Sequence, residues 1–147
     1  MFHRIANTSA AALILASTLF AAPAMAFGGH RIQVEQWGHN NTVGGGQSGY
    51  GQRLTVIQDG SSNLSVNTQD GRRNRAVVGQ SGHRNTVDTH QCGRQNAVGV
   101  AQIGSRNNAE VEQCGRRNVA AVVQVGHGSS ASVQQNGSNN VVAIVQE

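Results

Sequence analysis

Glutamine recurs at an interval of eleven residues from one end of this chain to the other: Gln36, Gln47, Gln58, Gln69, Gln80, Gln91, Gln102, Gln113, Gln124, Gln135 and Gln146. Two places after each of the first ten stands a glycine: Gly38, Gly49, Gly60, Gly71, Gly82, Gly93, Gly104, Gly115, Gly126 and Gly137. Five places after the glutamine stands an asparagine in most units: Asn41, Asn63, Asn74, Asn85, Asn96, Asn107, Asn118 and Asn140, with Gln52 and Ser129 taking the position in the other two. Small or branched apolar residues fill most of places seven and nine, with Ser65, Asn67 and Thr89 as polar exceptions, so the unit reads Q-x-G-x-x-N-x-A/V-x-V-x, ten times without an insertion. A strict internal period takes precedence over any local reading of the chain.

An eleven-residue period is also compatible with a supercoiled helix. Local chemistry excludes that here. Every unit would carry a glycine inside the helix, at about 1 kcal/mol each relative to alanine. The apolar places fall two apart, which is the period of a strand. The glycine is flanked by Ser, Asp, His, Arg and Asn, the chemistry of turns. Each unit is therefore one short strand and one tight turn. A single unit cannot bury its apolar face, so units must stack. Two units make one flattened coil of strand, turn, strand, turn. Ten units predict an all-β solenoid of about five 22-residue coils, with two facing parallel sheets and coils about 4.8 Å apart.

Alternation directs Asn, Ala/Val, Val and Gln inward. A buried amide without a partner is costly. Stacked in register, each side-chain amide can donate to the identical amide on the next coil, as in the Gln and Asn ladders of cross-β structure. The period is thus explained as a stacking device. It also fixes register, because a slip of one residue would turn every inward side chain outward.

Composition agrees with so unusual a core. The chain has 147 residues, with one Trp, one Tyr, no Lys and 19 Gly. The stretch 1–26 combines an early Arg4, an apolar run from Ala10 to Ala22, and Ala24 and Ala26 on either side of Met25. That is a secretory signal peptide with cleavage expected after Ala26; the apolar run is short of the roughly 20 residues that span a bilayer. The expected division is a signal peptide at 1–26, a short leader at 27–35 and a repeat domain at 36–147.

The motif Q-x-G-x-x-N-x-A-x-V-x-Q behind a signal peptide resembles the curlin repeat, over about Arg31 to Glu147. That resemblance implies a secreted subunit of curli-type amyloid fibres with roles in adhesion and biofilm matrix. It further implies export by dedicated outer-membrane machinery, nucleated self-assembly at the cell surface and a second curlin subunit as partner. It leaves two roles open, major fibre subunit and minor nucleator. The final unit, "QNGSNNVVAIVQE", keeps the full motif, which favours the major subunit and offers no polar cap. A solenoid with uncapped edges templates further strands and, because the contact does not close, builds a filament. The alternative is a capped, soluble solenoid serving as an adhesin or binding module.

The turns carry the individuality. Arg72, Arg73, Arg94, Arg116 and Arg117 fall on one edge of the middle coils, and the net charge is +4. Two readings stand for that edge: solvated charges that delay premature assembly, and a surface for acidic polysaccharide or extracellular DNA. Cys92 and Cys114 each follow a repeat glutamine, two units apart, so they should stack on adjacent coils, facing outward, within the Cα range of a disulfide; an intramolecular bridge, free thiols and chain-to-chain links all remain open. His39, His83 and His127 share a turn position but lie two coils apart, about 9.6 Å by the coil spacing, too far to share a metal ion. No catalytic spacing, cofactor motif or metal set emerges from the remaining acids.

Overall fold

In the computed structural model, which describes residues 29–147, every element is a strand. The signal-peptide assignment at 1–26 lies outside the described residues. The strands are β1 (Arg31–His39), β2 (Thr42–Tyr50), β3 (Arg53–Ser61), β4 (Leu64–Arg72), β5 (Arg75–His83), β6 (Thr86–Arg94), β7 (Ala97–Ser105), β8 (Asn108–Arg116), β9 (Val119–His127), β10 (Ser130–Ser138) and β11 (Val141–Gln146). The odd-numbered strands form one six-stranded sheet and the even-numbered strands a five-stranded sheet facing it. All pairing is parallel, each strand bonding to the next but one along the chain, so Val56 lies beside Val78 and Val100 beside Val122. This is the expected β-solenoid. Among the described residues no helix is long and apolar enough to cross a membrane.

The core is a narrow slot between the sheets. Leu54, Val56, Ala76, Val78, Val87, Val98, Val100, Ala109, Val111, Ala120, Val122, Ala131 and Val133 fill it. Each valine so buried contributes on the order of 1.5–3 kcal/mol. Three polar residues, Ser65, Asn67 and Thr89, break the apolar row on the five-stranded side, and they satisfy one another. Asn67 Nδ2 donates to Ser65 Oγ at 2.8 Å, and Thr89 Oγ1 donates to Asn67 Oδ1 at 2.8 Å.

The first strand starts at Arg31, inside the stretch assigned to the leader. The repeat glycines, expected in the turns, sit inside the strands at the next-to-last position, as Gly60 does in Arg53–Ser61, and pair in register with the glycine of the next coil. The turn proper is only two residues long. Its first residue is left-handed in every coil, including eight non-glycine residues with φ of 55 to 62°. The glycine is needed because the strand end bends sharply over its neighbour. At Gly82 φ is +116°, and an added Cβ would overlap the carbonyl oxygen of Gly104.

That geometry predicts a sharp contrast between two glycines on one strand. Gly82→Ala should destabilise the solenoid by about 3 kcal/mol or more, since backbone must move to admit the methyl. Gly79→Ala, where an added Cβ meets nothing within 4 Å, should be neutral or slightly stabilising. Guanidinium unfolding midpoints followed by circular dichroism would compare them; equal effects would refute the crowding argument.

Candidate functional site

The glutamines form two continuous hydrogen-bonded columns, one inside each sheet. On the six-stranded side the order is Gln36, Gln58, Gln80, Gln102, Gln124, Gln146, each Nε2 donating to the next Oε1. On the five-stranded side it is Gln47, Gln69, Gln91, Gln113, Gln135. The six fully buried links measure 2.6 to 3.1 Å. The second amide hydrogen crosses the slot to a backbone carbonyl sixteen residues earlier: Gln80 Nε2 to Leu64 O at 3.0 Å, and Gln91 Nε2 to Arg75 O at 3.1 Å. One side chain therefore bonds coil to coil and sheet to sheet.

The asparagines do something else. The expectation of an Asn–Asn amide ladder is corrected here: their bonds run to the backbone. Asn118 Nδ2 donates to Cys114 O in the preceding strand and to Gly137 O on the next coil, both at 3.1 Å. Its Oδ1 accepts the backbone N–H of Asn140 at 3.1 Å. Asn63, Asn74, Asn85, Asn96 and Asn107 repeat the pattern. The shorter side chain, placed in the turn itself, reaches main chain before it reaches another amide. Gln52 keeps both donor bonds, to Ser48 O and Gly71 O. With one methylene more, its Oε1 is buried without a partner.

Four strand edges are unpaired: β1 and β11 in one sheet, β2 and β10 in the other. Among the described residues no further strand pairs with them. Inward side chains at one end are consequently bare, with Ile32 59% and Val34 42% exposed, against 5% and 0% for Leu54 and Val56 one coil inside.

The five arginines singled out from the sequence come together. Arg72, Arg94 and Arg116 stand in register on adjacent strands. Arg73 and Arg117 occupy left-handed turn positions beside them, and Arg117 Nε donates to Gln95 Oε1 at 3.4 Å. The structure adds a second column, Arg31, Arg53 and Arg75. These open strands of the six-stranded sheet just across the same two-residue turn, and Tyr50, Arg53, Arg73 and Arg75 line one surface hollow. Their regular spacing is visible in the sequence; their nearness to the other column follows only from the shortness of the turn.

Cys92 and Cys114 are in register with a Cα separation of 4.6 Å and are joined as a disulfide. His90, on the same outward row, brings its ring nitrogen within 4.8 Å of both sulfurs. The i, i+2 spacing of His90 and Cys92 on a strand, which places both side chains on one face, is the signal for this in the sequence. On the opposite edge His39, His83 and His127 alternate with Ser61 and Ser105 along the stack. Ser105 Oγ and His127 Nδ1 are 2.7 Å apart.

The glutamine columns set a measurable expectation. Gln91→Leu deprives Gln69 Nε2, Gln113 Oε1 and Arg75 O of a partner, and should cost about 2–4 kcal/mol at the guanidinium midpoint; a change under about 0.5 kcal/mol would mean that the column carries no load. Comparison with known proteins agrees with this architecture. A family model for the curlin associated repeat matches residues 53–82, 82–115 and 106–137. No curated protein matches the chain. Tandem matches across more than half its length, on a solenoid whose coils carry those same repeats, show that the chain belongs to the curlin family of structural, curli-type amyloid subunits.

Proposed function

We propose that this chain is a secreted structural subunit that polymerises end to end into extracellular curli-type fibres, contributing to adhesion and biofilm matrix as a major subunit. The observation that carries the reading is the pair of open ends. Both present unpaired strand edges, and at one of them inward apolar side chains stand exposed. Such edges template another chain. Membership in the curlin family supports the same reading, and with it export through the outer membrane and cooperation with a second curlin. The last strand, β11, is fully paired in register with β9, which favours a subunit that growth can continue from over one that terminates or anchors.

Purified chain lacking residues 1–26 should assemble after a lag that preformed seeds abolish, and the fibres should show a meridional reflection near about 4.7 Å. Assembly without a lag, together with seeding of a different curlin, would assign the nucleator role instead. A monomer persisting for days at micromolar concentration would sink the fibre reading.

The arginine edge supports a second element of the proposal, that fibres hold acidic polysaccharide or extracellular DNA. In-register stacking puts like charges on adjacent strands, and a polyanion relieves the resulting repulsion. Fibre affinity for duplex DNA should fall at least about tenfold between roughly 50 and 200 mM salt. The triple variant Arg72→Gln/Arg94→Gln/Arg116→Gln should lose most of that binding while still assembling. Undiminished binding by the variant would reduce the edge to a solubilising one.

A further inference from the structure

Among the described residues the number of strands is odd, and end-to-end growth must accommodate that. Eleven described strands alternate between the sheets, six on one side and five on the other. A second copy added in the same orientation would seat its β1 on β11. Its β2 would then lie two strand spacings, about 9.6 Å, above β10, leaving a missing strand in the smaller sheet. Seating β2 on β10 instead would drive β1 into β11.

A copy turned by half a revolution about the stacking axis meets neither problem. Resting on the proposed end-to-end assembly, we infer that successive chains are related by a twofold screw, with β1 of the incoming chain pairing on β10 and its β2 on β11. The half turn exchanges the two sheets and preserves strand polarity, since the facing strands of a coil run in opposite directions.

Three sets of unfinished contacts close under this operation. The register extends both glutamine columns, Gln135 to the incoming Gln36 and Gln146 to the incoming Gln47. In the isolated chain Gln47 Oε1 is buried with no partner, whereas Gln146 Nε2 donates only to Ser130 O, leaving a hydrogen free. Asn140 Nδ2 donates only to Asn136 O, where Asn118 also reaches a glycine carbonyl on the following coil. The incoming Gly38 carbonyl falls at that position. Finally, at the ninth place of the repeat Gly45 is the only glycine and Ile144 the only isoleucine. The screw stacks one directly on the other. Ile32, Val34, Val43, Gly45, Gln47 and Leu54 line a hollow of about 150 Å³ at that end, open to receive the side chain. Addition without rotation would instead place Ile144 against Val34 and leave Gln47 Oε1 and Asn140 as they are.

Two measurements test the inference. In wild-type fibres, helical reconstruction by electron cryomicroscopy should give a rotation near a half turn, modified by sheet twist, and a rise of about 26 Å per chain, or five and a half spacings of about 4.8 Å. In a Cys92→Ser/Cys114→Ser background, fibres of Gln33→Cys/Ser132→Cys should form intermolecular disulfide ladders on oxidation, and fibres of Gln33→Cys/Ala143→Cys should not. Cross-links confined to the Ala143 pair, or a rise of about 29 Å (six such spacings) without rotation, would overturn the screw and leave the fibre reading standing. Cross-links in neither pair, with a rotation far from a half turn, would overturn it equally. Wild-type chain that forms no fibre at all would remove both.

Discussion

A carboxamide hydrogen-bonded to its own copy one coil away is the interaction on which the rest of this structure depends. It joins only like to like at like heights, so it requires the same residue once per coil in each sheet and once per unit along the chain. In return it makes a polar core tenable. Gln58, Gln69, Gln80, Gln91, Gln102, Gln113 and Gln124 are buried to 2% exposure or less, and with both amide hydrogens directed at acceptors the desolvation that would penalise each is offset. The cross-slot bond to a backbone carbonyl adds what an apolar stack could not supply: a fixed distance and a fixed stagger between the two sheets. With alanine and valine filling most of the core, packing alone would specify that stagger weakly.

This dependence explains which features were legible in the sequence. Gln, Ala and Val read correctly as inward, and the strand period, the parallel register and the coil length all follow from the spacing. Asparagine misled because its chemistry equals that of glutamine while its reach does not. One methylene less, in a turn instead of mid-strand, makes the backbone its nearest partner, as the three bonds of Asn118 show. Gln52 shows the converse, a longer amide in the asparagine position with an acceptor left over. The count of strands was obscured by where the repeat is divided. Each strand runs from the sixth place of one unit to the third of the next, so units counted from glutamine cut every strand in two, and the strand holding Gln36 begins ahead of the first unit at Arg31.

The turns reveal a second constraint, in tension with the first. The residue entering each turn must be left-handed, which suits glycine or asparagine and costs other residues roughly 1–2 kcal/mol. Asn40, Gly51, Gly128 and Asn139 meet that preference near the two ends of the solenoid. The middle coils carry Ser62, Arg73, Arg84, Gln95, Arg106 and Arg117 instead. Four arginines in a conformation that arginine disfavours mean that charge is retained there against local stability. Conformational cost and like-charge repulsion both oppose the folded stack. The glutamine columns and the valine slot must outweigh both, which places the balance between soluble chain and fibre in the middle coils.

Rotation between copies bears directly on that balance. Without it, the arginine edges of all chains would lie on one side of the fibre, with Ser138 and Tyr50 at the ends of each basic column. With a half turn, the edge holding Arg72, Arg94 and Arg116 is followed on the same side of the fibre by the incoming chain's edge of His39, Ser61, His83, Ser105 and His127. That second edge carries Arg84 and Arg106 in its turns, so both sides of the fibre are basic, and the denser stretches on one side are separated by one intervening chain of about 26 Å. That length exceeds the Debye length of about 8 Å at physiological ionic strength, so the denser stretches on one side are screened from one another. Under the proposed screw, growth would therefore keep the densest basic stretches apart, and the polyanion surface proposed above would be present on both sides of the fibre. The odd strand count thus ties charge distribution to assembly geometry through the same register that the amides impose.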